Sequence, residues 1–96
     1  MKKLSDTEID DRLKNLDGWT YAKGAIHTSF EFENFKEAFT VMTRIAFEAE
    51  AQDHHPNWGN VYNQLKISLS THDANGVTEK DFKLALTIED IIESTN

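Results

Sequence analysis

The period of the apolar positions changes several times along this chain, and each change marks an element. Leu4 precedes Ser5-Asp6-Thr7-Glu8, a capping box with Ser5 as N-cap and Glu8 at N3. Leu4 and Ile9 fit the hydrophobic staple that accompanies such a box. Ile9, Leu13 and Leu16 then form one stripe of a helix that stops at Asp17-Gly18. A short strand from Trp19 to Ala22 and a Lys23-Gly24 turn follow. Ile26, Thr28, Phe30 and Phe32 alternate with His27, Ser29 and Glu31, which predicts a half-buried strand. At Asn34 the spacing turns helical. Asn34 caps, Glu37 stands three later, and Phe35, Ala38, Phe39, Met42, Ile45, Ala46 and Ala49 predict a second helix to about Gln52.

Asp53 to Pro56 reads as a loop, and Trp58 to Tyr62 as a third strand. Leu65, Ile67, Leu69 and Thr71 alternate with Lys66, Ser68, Ser70 and His72, giving a fourth. Asp73-Ala74-Asn75-Gly76 is a turn. Thr78-Glu79-Lys80-Asp81 opens a last helix with Phe82, Ala85, Leu86, Ile88, Ile91 and Ile92 inward. The order α-ββα-ββα predicts one α+β domain over residues 1–96, a four-stranded antiparallel sheet with three helices packed on one face. The two ββα units are not alike in sequence, so the repeat is architectural only.

Composition narrows the function. A chain of 96 residues suits one modest core. A formal net charge of −7 argues against nucleic acid and against anionic membrane surfaces, both of which call for clustered Lys and Arg. With no cysteine, thiolate nucleophiles and cysteine zinc sites are excluded. Met1 to Asp6 leads into no apolar signal segment, and no apolar run approaches the roughly 20 residues of a membrane span. A cytoplasmic location without membrane partners is the expectation.

The candidate chemistry is imidazole. His54, His55 and His72 are three of only four histidines, and histidine gives or takes a proton near neutral pH without special tuning. Pro56 biases His55 toward extended backbone, so His54 and His55 face different sides. Glu50, four residues before His54, can share its helical face and orient that imidazole. His72 falls on the polar face of strand four beside Ser70, and it meets the other two only if their loop folds over that edge. Asp81 at N3 is an ordinary helix stabiliser taken alone. Trp58 and Tyr62 could stack on a flat heterocycle or pack in the core. Three histidines with Glu50 and Asp53 match a zinc set by type, but their spacing is not the H-x-x-x-H of a shared element, so no metal is expected.

Read as one string, Glu50-x3-His54-His55-Pro56-x5-Tyr62-x9-His72-x8-Asp81 resembles the signature of the pterin-4a-carbinolamine dehydratases. Asp53-His54-His55-Pro56-x-Trp58, Asn60-Val61-Tyr62-Asn63, Leu69-Ser70-Thr71-His72-Asp73 and Gly76-Val77-Thr78 are similar to the same family. The resemblance covers nearly the whole chain. It implies a cofactor-free hydro-lyase that removes water from 4a-hydroxytetrahydropterin and gives quinonoid dihydropterin for tetrahydrobiopterin recycling. It implies His54, His55, His72 and Glu50 as catalytic, with His55 and His72 flanking the reacting C4a–OH. It implies Asp53, Pro56, Trp58, Ser70, Thr71, Asp73 and Asp81 as substrate-binding, and a homodimer or homotetramer. The alternatives are a non-catalytic pterin-binding or dimerisation module on the same fold, and a metallohydrolase.

Overall fold

The computed structural model describes residues 1–95. Its elements are α1 (Asp6–Leu13), β1 (Thr20–Ala22), β2 (Ala25–Glu31), α2 (Phe35–Ala51), β3 (Asn57–Val61), β4 (Gln64–Leu69), a 3-10 turn (His72–Ala74) and α3 (Glu79–Ser94). The predicted α+β architecture is observed. The four strands form one antiparallel sheet in the order β1-β2-β4-β3.

Three capping signals act as their sequences predict. The Ser5 hydroxyl accepts from the Glu8 N–H, and the Glu8 carboxylate accepts from the Ser5 N–H. The Asn34 side chain accepts from the Glu37 N–H. Thr78 caps α3 by accepting from the Lys80 N–H, and the Asp81 carboxylate accepts from the Thr78 N–H. Each contact satisfies a backbone donor that a helix start would otherwise leave unpaired.

Register places Ile26 opposite Leu69, Thr28 opposite Ile67 and Phe30 opposite Leu65. Strand alternation sends these side chains to the helical face, where Ile26, Leu65, Ile67 and Leu69 meet Val41, Ile45, Leu84 and Ile88 in one core. His27, Ser29, Lys66 and Ser68 occupy the other face. There His27 bonds Ser68 (2.7 Å) and the Ala22 carbonyl (2.9 Å).

Several expectations are corrected. α1 ends at Leu13, and Leu16 is buried from the turn that follows. β3 runs Asn57–Val61, so Tyr62 belongs to the β3–β4 turn with φ 52°. β4 stops at Leu69, which removes Thr71 and His72 from it. Phe35, Phe39, Ala46 and Leu86 do not turn inward; all are exposed. The α3 core stripe is Leu84, Ala85, Ile88 and Ile91, and Leu86 lies off it by helical rotation. α2 therefore has two apolar faces. One packs on the sheet, and Phe35, Phe39 and Phe47 form part of the other. Among the described residues no helix is long and apolar enough to cross a membrane.

α1 is tied to the start of α3. Arg12 makes a two-pronged ion pair with Glu79, and its guanidinium lies over the Phe82 ring, 5.5 Å from the centroid. The hydrogen bond from Arg12 holds the Glu79 carboxyl below the usual carboxylate range. This contact braces the turn that carries Lys80 and Asp81.

Candidate active site

The site begins with the way α2 ends. The Asp53 N–H donates to the Glu50 carbonyl (3.1 Å) and the His54 N–H to the Ala49 carbonyl (3.0 Å). With Asp53 left-handed at φ 52°, this is a Schellman exit. The reversal takes His54 off the helical face and buries it, while His55 stays outside.

This corrects the expected Glu50–His54 contact. Because the helix has already ended, the imidazole that reaches Glu50 is His55, with Nε2 2.9 Å from Oε1. Both groups are exposed. His54 instead places Nε2 2.5 Å from Asp81 Oδ1. Asp81 is completely buried. Its other oxygen accepts from the Thr71 hydroxyl (2.9 Å) and the Thr78 N–H (2.8 Å).

The direction of this network follows from proton counting. Thr71 has one hydroxyl proton and gives it to Asp81, so in the 2.7 Å contact between Thr71 and Thr78 the donor is Thr78. Thr78 in turn accepts from the Lys80 N–H. An ionised Asp81 carboxylate can only accept, and it then takes its bond from the His54 Nε2–H. Its Nδ1 has no side-chain or backbone partner among the described residues. Asp81 completes the α3 capping box through Oδ2 and orients the His54 imidazole through Oδ1.

His72 arrives by a different route. After Leu69 the chain leaves the ladder, and Thr71 forms an isolated bridge with Gly76, its N–H donating to the Gly76 carbonyl at 2.8 Å. His72 opens the 3-10 turn, which closes at a left-handed Asn75, φ 58°. The turn signal around Asp73-Ala74-Asn75-Gly76 therefore takes effect at His72, one residue before its first polar member. Thr71 points inward to Asp81, and His72 remains exposed.

The two segments enclose a hollow of about 310 Å³. The α2 exit contributes Asp53, His54 and His55; the β4–α3 connection contributes Ser70, Thr71, His72 and Asp73; α3 adds Lys80. Three imidazoles from two separate segments thus share one cavity. Glu50 and Asp81 stand behind two of them. Pro56 and Trp58 are not part of this lining. Trp58 is half-buried against the core and borders an apolar groove with Phe39, Met42, Phe47 and Glu50. Tyr62 lies exposed in its turn. A larger hollow between α2 and α3, about 540 Å³, brings no imidazole. Among the described residues no three His, Asp or Glu side chains are grouped as a metal ion would require. Lys80 is the one lining residue that sequence reading passed over, since a lysine in a first helical turn looks like solvated surface.

Comparison with known proteins agrees with this geometry. Residues 2–91 match the family model described as pterin 4 alpha carbinolamine dehydratase. A protein of Christiangramia forsetii, provisionally named a pterin-4-alpha-carbinolamine dehydratase, is 81% identical over 96 residues, covering 100% of this chain and 99% of its own. A protein of Solibacter usitatus with the same provisional name is 48% identical over 87 residues, covering 91% of this chain and 92% of its own. Among solved structures, a transcriptional coactivator/pterin dehydratase from Brucella melitensis superposes with a TM-score of 0.92 at 42% identity, covering 94% of this chain and 98% of that one. With the leading helix, all four strands and the histidine cavity inside the matched span, this chain belongs to the pterin-4-alpha-carbinolamine dehydratase family.

Proposed function

We propose that this protein dehydrates 4a-hydroxytetrahydrobiopterin to quinonoid dihydropterin by imidazole acid–base chemistry. The observation that carries the reading is the convergence of His54, His55 and His72 on one cavity, two of them each held by a carboxylate. The reaction asks for two proton transfers. The C4a–O bond breaks as the departing oxygen takes a proton and leaves as water, and a ring N–H gives up its proton as the new double bond to C4a forms. Each transfer is within the capacity of an imidazole, which can donate in one state and accept in the other.

His55 and His72, the two exposed imidazoles, flank the reacting carbon. His54 offers its free Nδ1 from the cavity wall, its tautomer set by Asp81. Glu50 orients His55. Ser70 presents its hydroxyl to the amide-like part of the ring, Thr71 stands behind it with its hydroxyl committed to Asp81, and Asp53 and Asp73 lie on the rim. Asp81 acts on the substrate only through His54 and Thr71. Pro56 shapes the loop, and Trp58 backs it from the core side. No step calls for a metal or an organic cofactor.

The test is to generate the carbinolamine and follow its dehydration spectroscopically with and without a chelator. Acceleration that survives chelation is expected. Acceleration abolished by chelation would support the metallohydrolase reading instead.

A second reading concerns assembly. β3 is a sheet edge of sequence Asn57-Trp58-Gly59-Asn60-Val61, without the lysine or proline that commonly protects an edge, and α2 carries its outer Phe35, Phe39 and Phe47 nearby. These features favour a homodimer or homotetramer. The Brucella relative bears the words transcriptional coactivator, so a protein-binding role on the same fold is the alternative from another class. Sedimentation of wild type beside Phe47→Glu tests the assembly. A shift to smaller species in the variant is expected; a monomeric wild type would remove it.

A further inference from the structure

The turn that carries His72 is held from behind by the N-terminal arm. β4 ends at Leu69, so the connection that follows leaves the ladder and depends on a few contacts. Thr71 and Gly76 form a single rung across it, with bonds of 2.8 and 3.4 Å. Beyond the rung, the Val77 carbonyl accepts from the Leu4 N–H at 2.8 Å, and both side chains are buried in the core. Lys3 precedes Leu4 and lays its stem over Gly76. A β-carbon at Gly76 would lie 2.8 Å from Lys3 Cε, 3.0 Å from Cδ and 3.1 Å from Cγ, so one side would have to move. The turn itself does not ask for glycine at this position. Its left-handed residue is Asn75, and Gly76 lies outside the left-handed region. Glycine is present for the space that the lysine stem fills. The stem in turn covers a residue that alone would leave the connection loose. The rung passes this fit on: the Thr71 hydroxyl holds Asp81, and His72 is the next residue.

We infer that the Lys3-Leu4 arm is a strap that sets where the His72 imidazole stands, with Lys3 and Gly76 as positioning residues; the link to turnover rests on the dehydratase reading above. Leu4 anchors the arm in the core. Lys3 bears on Gly76 through its carbon stem, and the Thr71–Gly76 rung carries the fit to His72. Misplacing a group near the chemistry by about 1 Å can cost about 10²-fold in rate. A fraction of that displacement at His72 therefore predicts a loss of several-fold.

Steady-state kinetics on the carbinolamine and NMR of the histidine rings test the strap in wild type, Lys3→Met, Lys3→Ala, Gly76→Ala and the double variant Lys3→Ala/Gly76→Ala. Lys3→Met keeps a stem without the charge and should behave as wild type. Lys3→Ala empties the space over Gly76, and Gly76→Ala pushes the stem away. Each should lower kcat about 3–10-fold while KM stays within about 2-fold. In the double variant the new methyl takes the place of the missing stem, and kcat should recover most of the loss. Two merely structural lesions would add instead, making the double variant slower than either single one. The His72 ring signals should shift in both single variants and return in the double one, while those of His27 stay in place. An unchanged kcat in Lys3→Ala, unmoved His72 signals there, or a double variant slower than both singles overturns the strap. Should Gly76→Ala fail to fold, Lys3→Ala beside Lys3→Met decides: a loss in the first alone supports the strap, and equal rates overturn it. Should wild type fail to dehydrate the carbinolamine, the dehydratase reading falls and the ring signals decide the strap separately. A His72 shift in Lys3→Ala that Lys3→Met lacks then supports it, and unmoved signals overturn it.

Discussion

His54–Asp81 and His55–Glu50 are the same chemical pair in opposite surroundings. The first joins residues 27 apart, is buried, and is locked by Thr71 and the Thr78 backbone. The second joins residues 5 apart and lies open to solvent. An exposed pair contributes about 0–1 kcal/mol because water and salt compete with it. Breaking a buried one costs about 3–5 kcal/mol, because the remaining groups are stranded without partners. Neighbouring histidines thus receive different assignments from burial alone. His54 is a fixed part of the fold, and His55 is free to adjust to a ligand.

The contrast is broken most severely at Asp81. Asp81→Ala leaves the His54 ring, the Thr71 hydroxyl and the Thr78 N–H without their acceptor and removes half of the α3 capping box. We expect a stability loss of roughly 3–5 kcal/mol by urea denaturation. The milder Asp81→Asn keeps the shape while presenting an amide donor to one neighbour, and a smaller loss is expected. Wild-type stability in both would show that the buried pair carries no weight in the fold.

At the exposed pair the expectation reverses. Glu50→Gln should change stability by less than about 1 kcal/mol and lower turnover by several-fold. Molar salt should slow wild type toward the Glu50→Gln rate, since screening at about 3 Å reaches exposed charges. If salt slows Glu50→Gln as much as wild type, the exposed pair is not its target.

The smallest effect lies outside both pairs. The Glu79 carboxyl is held below its ordinary value near 4.5 by Arg12. A depressed folded value means that its stabilisation is fully present above that ordinary value and is lost as pH falls through the lower one. Both groups are partly exposed, so the contribution is modest. Glu79→Gln should flatten the acid limb of a stability-versus-pH curve below about pH 4.5 and leave the neutral region nearly unchanged. An unaltered acid limb would remove Glu79 from that account.

Much of the fold was legible because its signals are local. The Ser5–Glu8 box, the Asn34 cap and the switch from alternation to helical spacing after Phe32 each depend on a few adjacent residues. The site was legible in part. Its residue types stood out, and the family resemblance gathered them. Their contacts did not. Helical spacing offers His54 to Glu50, but the left-handed Asp53 ends the helix first, and an aspartate there carries none of glycine's warning. The His54–Asp81 bond lies across the fold, where no periodicity reaches. His72 looked like one more alternating strand residue until the following turn drew it in. Phe35 and Phe39 fit a helical stripe, and only the position of the sheet tells which of two apolar faces is the core.

The central claim is that three imidazoles meeting in one cavity move the protons of a dehydration. The rate of carbinolamine dehydration in chelator-treated protein, compared across His55→Ala, His72→Ala and His27→Ala, measures it most directly. The account predicts losses of roughly 10²-fold or more for the first two, the scale of a missing general acid or base, and a near wild-type rate for His27→Ala, which lies on β2 outside the cavity lining. Wild-type rates in both cavity variants, or a large loss from His27→Ala, would contradict it.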